Sequence, residues 1–274
     1  MSDIHALARE LAEARTEGRV ISTPPSSRGV GFDLATAYAV ENELVRTRRA
    51  AGHKTVGIKV GYANKAMWRV LKLDTLVWAH MYDDTVHDAK GNEATLSVAR
   101  MISPKIEPEI VFKMKAPLAA GVSEPAAALE AVEWLALGFE IIDCPFAEWK
   151  FQPADFVAAY GLHAALIVGE PRAVTAANIA ELVEQLPTFT VRLSKDGQLV
   201  ADGSGRNSLR SPALCLAELG SAMAKQDGVQ PLVAGDLVSS GTLTESAAIA
   251  PGATWTASVE GLALPALTVR LLAD

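Results

Sequence analysis

The chain has 274 residues, half of them hydrophobic, and a net charge of −7. That supplies apolar material for one large core or two small ones. The acidic balance, with no basic stripe and no basic–aromatic interleaving, argues against nucleic acid as a partner. No apolar run reaches the length a bilayer crossing needs; the most apolar stretch, Phe156 to Gly169, is broken by Tyr160, Gly161 and His163. The segment around Asp3 to Glu10 lacks the basic start and apolar centre of a signal peptide, which predicts a cytoplasmic protein. Cys144 and Cys215 lack CxxC spacing and read as reduced thiols in a core.

Helical periodicity is present from Ile4 to Arg15 and from Asp33 to Ala51, with Asp33 as N-cap of the second helix. The loop composition of Thr23 to Gly29 separates them. Residues 1–53 therefore read as a helical N-terminal segment and not as an independent domain. Thr55 to Gly61 reads as a strand, Lys65 to Leu71 as a short helix, and Thr75 to Met81 as a strand. Helical spacing returns over Pro125 to Leu137, Ala176 to Gln185 and Pro212 to Lys225. Further strands are predicted at Thr188 to Ser194, Gln198 to Ala201, Asp236 to Ser239, Thr254 to Val259 and Leu267 to Leu272. Lys195-Asp196-Gly197-Gln198 is a hairpin turn signal. Strands that do not alternate regularly with helices predict an α+β fold, with residues 54–274 as its main domain. Gly203-Ser204-Gly205 lacks the strand-to-helix context of a phosphate loop and reads as a flexible connection.

The strand Ile106 to Phe112 carries the chemistry. Its apolar residues are even-numbered and its acids, Glu107 and Glu109, are odd-numbered, so both point to one face, roughly 7 Å apart along the backbone. Glu140 stands in another strand-like run, Gly138 to Asp143, and shares a face with apolar Ile142, an awkward place for an unpaired carboxylate. Three carboxylates without Cys or His suit a hard cation such as Mg²⁺ or Mn²⁺. Two acids alternating on a strand are also what a solvated sheet face looks like. Lys59 lies inside the apolar run Val56 to Gly61, with a glycine two positions away on each side. Burial there would suit it to proton transfer or anion binding, whereas a snorkelling surface lysine has the same pattern.

These residues in order, Gly57 to Gly61, Pro104 to Phe112, Glu140 to Asp143 and Trp149, resemble the fumarylacetoacetate hydrolase superfamily. Within it the chain is similar to the branch of 2-hydroxypenta-2,4-dienoate hydratases and 4-oxalocrotonate decarboxylases. The similarity extends through Ala37 to Val40, Ala234 to Thr242 and Val259 to Leu262. It implies a mixed β-roll domain behind the helical segment, and a homo-oligomer. It also implies Mg²⁺ or Mn²⁺ on Glu107, Glu109 and Glu140, with Lys59 as the active-site lysine. Ser240, Gly241 and Thr242 match the segment that contacts a small 2-oxo acid substrate. The implied reaction is hydration of a 2-hydroxy-2,4-dienoate through a stabilised enolate, in aromatic-compound catabolism. Decarboxylation of a 2-oxo-enedioate is the nearest alternative, followed by acylpyruvate C–C hydrolysis and by a non-catalytic binding role. A decarboxylase would want a further cation, for which Lys105 and Arg28 are candidates.

The chain departs from the branch at two places. His80 stands where an acid is usual, and reads either as a general acid/base or as a structural histidine at a strand end. Ala158 to His163 replaces a polar Asn- and Ser-containing stretch, which makes Tyr160 a candidate substrate contact. Tyr160 and His163 either reshape the pocket or pack in the core.

Overall fold

The computed structural model describes residues 3–29, 31–118, 121–226 and 229–274. In chain order the strands are β1 (Thr55–Gly61), β2 (Val77–Tyr82), β3 (Val86–Asp88), β4 (Glu93–Ser97), β5 (Pro104–Met114), β6 (Val132–Asp143) and β7 (His163–Val168). There follow β8 (Arg172–Ala173), β9 (Thr190–Lys195), β10 (Gln198–Ser204), β11 (Leu237–Ser239), β12 (Ala247–Ala248), β13 (Thr254–Glu260) and β14 (Leu267–Leu272). The helices are α1 (Ile4–Glu17), α2 (Leu34–Ala50), α3 (Lys65–Leu71), α4 (Pro125–Glu130), α5 (Pro153–Ala158), α6 (Ile179–Gln185) and α7 (Pro212–Ala224). The larger sheet runs β2-β1-β11-β5-β6-β7-β3, with β12 on β5 and β8 on β6; the smaller runs β10-β9-β13-β14-β4. Parallel pairs, β1 with β11 and β3 with β7, sit among antiparallel ones, so the fold is α+β with a mixed sheet.

The alternation along β5 decides which face is core. Ile106, Ile110, Phe112 and Met114 are fully buried, as are Leu135, Phe139 and Ile141 of β6 beside them. Each such side chain contributes about 1.5–3 kcal/mol of burial free energy. The same hydrophobic cluster takes in Leu7 and Leu11 of α1, Leu44 of α2 and Leu216 of α7, so the N-terminal helices share the core of the sheets.

Edges and ends are closed by local chemistry. Asp33 caps α2 by accepting the Thr36 N–H at 2.8 Å, as its position before the periodic run predicts. β2 is an edge strand, and α2 satisfies its outward amides: Trp78 N–H donates to Tyr38 Oη and His80 N–H to Glu41 Oε1. Asp196 and Gly197 both have positive φ, as a two-residue hairpin turn requires.

Three predicted elements differ. The helix expected to Leu137 stops at Glu130, and β6 begins at Val132 and runs 12 residues. Val132 to Leu137 fits either period; pairing with β5 from Asp143 to Val132 gives each of those residues except Glu133, which falls at a bulge, a ladder partner and decides for strand. α6 starts at Ile179, three residues late, because Asn178 accepts the Thr175 N–H and donates to Ala173 O, holding a turn that competes with helix. Residues 203–205 are not a flexible connection. They close β10 so tightly that a Cβ on Gly203 would lie 1.9 Å from Leu243 O, and one on Gly205 1.7 Å from Leu186 O. Gly205→Ala is therefore expected to lower stability by about 2 kcal/mol or more, read as the midpoint of urea unfolding. Among the described residues, no helix is long and apolar enough to cross a membrane.

Candidate active site

The β5–β6 register brings the acids together. Glu107 pairs directly with Glu140, and Glu109 with Gly138. One carboxylate oxygen from each of Glu107, Glu109 and Glu140 lies within 4.8 Å of the others. Glu109 Oε2 accepts from Ser239 Oγ at 2.5 Å and from Gly241 N–H at 2.8 Å, which fixes the carboxylate and leaves Oε1 buried without a hydrogen-bond partner. Glu140 lies between two nitrogens: Lys59 Nζ is 3.0 Å from Oε2, and His163 Nδ1 is 3.0 Å from Oε1. One buried lysine against three carboxylates leaves a deficit of two positive charges. A divalent cation matches both that deficit and the orphaned oxygen of Glu109.

Lys59 is 2% exposed, inside the sheet and not snorkelling. Its ammonium also donates to Gly161 O at 2.9 Å and stands 4.7 Å from the centre of the Phe156 ring. The carbonyl is aimed at it by an unusual turn. Tyr160, Gly161 and Leu162 all have φ near +58°, a conformation that costs roughly 1–2 kcal/mol at each non-glycine residue. Burial holds the His163 imidazole well below its ordinary pKa, with Arg15 and Lys59 adding to the effect. The neutral ring then donates its Nδ1–H in a hydrogen bond to Glu140 Oε1 and faces Thr85 Oγ, 2.9 Å away, with Nε2.

Glu107 opens onto a cavity of about 450 Å³, also lined by Lys59, Gly241 and Thr242, with aromatic walls that include Tyr62 and Phe156; Glu109 and Glu140 are buried behind it. Other predicted residues lie elsewhere. His80 is outside this lining: its Nδ1 is 2.7 Å from Glu41 Oε1, and its register partner is Ile58, on the opposite face from Lys59. Tyr160 lines a separate small cavity with Arg15, whose guanidinium lies 4.8 Å from the tyrosine ring. Ser240 is fully buried and donates through Oγ to Ile110 O, so it braces β5. Arg28 is paired with Glu10 and does not reach the cavity, whereas Lys105 lines it. His80→Ala is expected to change turnover by less than about threefold while lowering the melting temperature, because Glu41 loses the imidazole and keeps only the backbone N–H at the β2 edge.

The sequence reading missed Ser239 as the donor to Glu109, and Thr85 as the partner of His163. Ser239 was detectable, since strand alternation puts it on the same side as Gly241. Thr85 lies on the turn before β3, and nothing in its local sequence points to His163.

Burial pushes both Glu107 and Glu109 up to about 8, reinforced by the neighbouring carboxylates and partly offset by Lys59. Glu140 is raised for the same reason. A carboxylate whose pKa is higher folded than unfolded binds more protons in the folded state, so stability falls as pH rises between the two values. The metal-free protein is thus expected to lose several degrees of melting temperature between about pH 5 and pH 8. Mn²⁺ should restore it, binding more tightly as pH rises. Thermal melts with and without Mn²⁺ across that range test this; a flat metal-free profile would refute it.

Residues 58–270 match the family described as fumarylacetoacetate (FAA) hydrolase C-terminal. The chain belongs to this family. Its relatives include a 2-hydroxypent-2,4-dienoate hydratase of Pseudomonas putida, 29% identical over 224 residues that cover 80% of this chain and 95% of the relative. A 4-oxalocrotonate decarboxylase of Pseudomonas sp. (strain CF600) is 29% identical over 229 residues, covering 84% of this chain and 83% of the relative. Among solved structures, 4-oxalocrotonate decarboxylase from Pseudomonas putida G7, complexed with magnesium and adipate, superimposes with a TM-score of 0.87. It is 25% identical, and the match covers 98% of this chain and 97% of that one. In this FAA hydrolase family member the three glutamates, Lys59 and the cavity form one continuous site, while His80 and Tyr160 lie behind it.

Proposed function

We propose that this chain is a lyase that adds water to a 2-hydroxy-2,4-dienoate or related 2-oxo-enoate, in the catabolism of aromatic compounds. Glu107, Glu109 and Glu140 would hold Mg²⁺ or Mn²⁺. The observation that carries this reading is the convergence of those three carboxylates beside the buried Lys59 on a ligand-sized cavity. The names of the relatives, hydratases and decarboxylases alike, support it. When bound, a divalent ion supplies a Lewis acid that stabilises negative charge on the substrate's 2-oxygen.

The chain's own residues do the rest. Lys59 Nζ, held by Glu140 and Gly161 O, is the group placed to hold or move a proton at the substrate. Gly241 and Thr242 line the cavity beside Glu107 and would orient the 2-oxo acid end. Tyr62, Phe156 and Leu162 wall the carbon chain and restrict water. Incubation with Mg²⁺ and a panel of dienols and 2-oxo-enedioates tests the assignment. Loss of ultraviolet conjugation with a product heavier by one water supports hydration. CO₂ release would make the chain a decarboxylase, and turnover indifferent to EDTA would remove the metal.

We further propose a cytoplasmic homo-oligomer. Val56, Val86, Trp134 and Leu237 are partly buried over a small apolar cluster on the carboxylate side of the large sheet, and the surface they leave open supports self-association. Light scattering at a monomer mass would sink that idea.

A further inference from the structure

His163 has no role in the scheme above, although its imidazole is 1% exposed and touches Glu140. Its backbone is placed by a β-bulge. In the ladder between β6 and β7, Ile141 pairs with Ala165 and Ile142 with His163, so Ala164 is the extra residue and has no cross-strand partner. Polar backbone groups at such a break need partners outside the ladder. Arg15 of α1 supplies them. Its Nη1 donates to His163 O and its Nη2 to Ala164 O, the latter at 3.4 Å, while the guanidinium lies over the Tyr160 ring. The helical N-terminal segment thereby holds the bulge that turns the imidazole toward Glu140.

Thr85 acts on the other side of the ring. Its hydroxyl accepts the Tyr82 N–H at 3.2 Å. The hydroxyl proton has two acceptors in reach, Tyr82 O at 3.0 Å and His163 Nε2 at 2.9 Å. Tyr82 O already accepts the Thr85 N–H at 3.0 Å, so the proton is free for Nε2. A donor at Nε2 leaves the ring's own hydrogen on Nδ1, facing Glu140 Oε1. With Lys59 Nζ 3.0 Å from Oε2, the carboxylate is then gripped at both oxygens and its plane is fixed.

We propose that Arg15 and Thr85 make His163 a positioning residue for Glu140. Arg15 fixes where the imidazole points, and Thr85 fixes which nitrogen donates. Metal affinity then depends on α1, a helix that contributes no carboxylate to the site. This rests on the reading of the three glutamates as a metal site.

Two measurements on the intact protein test it. With Mg²⁺ present, nitrogen-15 NMR of labelled histidine is expected to show the Nδ1–H tautomer for His163, its signals identified by their loss in His163→Asn. Electron paramagnetic resonance of Mn²⁺ gives the affinities. His163→Leu is expected to weaken binding by about 10–100-fold. His163→Asn should keep most of the affinity, because its amide nitrogen is bonded to Cγ as Nδ1 is and can still donate to Glu140. Arg15→Met and Thr85→Val, neither of which alters a glutamate of the site, should each weaken binding by roughly tenfold. An Nε2–H tautomer in the wild-type protein would overturn the proposal, as would equal losses in His163→Leu and His163→Asn. Wild-type affinity in His163→Leu, or in both Arg15→Met and Thr85→Val, would overturn it too, with the metal reading left standing. If the wild-type protein binds no Mn²⁺, the metal reading itself falls, and this proposal with it.

Discussion

Glu109→Gln is expected to lower metal-dependent turnover on the order of 10³-fold and to weaken Mn²⁺ binding by at least ~100-fold. The reason is geometric as much as electrostatic. Glu109 Oε2 takes two donors, Ser239 Oγ and Gly241 N–H. In the variant the amide oxygen keeps those bonds, so the amide NH₂ replaces Oε1 and turns a donor toward Glu107 and Glu140. A cation loses a ligand and meets a partial positive charge. The same change removes one of three mutually repelling buried carboxylates, so the metal-free variant should melt at or above the wild-type temperature at pH 8. Electron paramagnetic resonance of Mn²⁺ and thermal melts give the two readouts. A variant that binds Mn²⁺ like the wild type would show that these carboxylates are not the metal site.

Lys59→Met should separate binding from chemistry. Turnover is expected to fall by roughly 10²–10⁴-fold, the usual contribution of a positioned proton-transfer group. Mn²⁺ should bind more tightly, because a positive charge 3.0 Å from Glu140 has been removed. Metal-free, the variant should be less stable at pH 8, since Glu140 then keeps only the neutral His163 beside it. Arginine should not rescue turnover, because its planar fork does not fit between Gly161 O and the Phe156 ring. A lysine of purely structural importance would lose metal affinity and turnover together, and that outcome would contradict the role given to it here.

The parts of this site visible without a structure are those that alternation controls. Glu107 and Glu109 share a face because they are two residues apart on a strand, and no tertiary contact is needed to know it. The even-numbered partners of β5 had to be core for the same reason, and their near-zero exposure agrees. The reading failed where two periods fit one stretch, as at Val132 to Leu137. It also failed where a residue's role depends on a partner far along the chain. His80 fits either a general acid/base or a structural histidine from its own sequence, and only packing of α2 against the β2 edge, which occupies the imidazole with Glu41, decides for the structural role.

His163 shows the division most clearly. Pairing without interruption from Glu140 and Leu166 would put Ala164, not His163, on the face of the acids. A bulge between Ile141 and Ile142 shifts the register so that Ile142 faces His163, and the one-residue slip turns the imidazole toward Glu140. The sequence by itself determined the alternating strands, the two acids on one face, the apolar setting of Lys59 and the α+β class, all consequences of local period and residue chemistry. The family resemblance already joined Glu140 to those acids, and the β5–β6 register shows how; tertiary structure alone decided that Lys59 and His163 hold it from either side, and that His80 and Tyr160 stand behind the cavity. Such pairings depend on strand register and on contacts between distant segments, which a linear pattern does not encode.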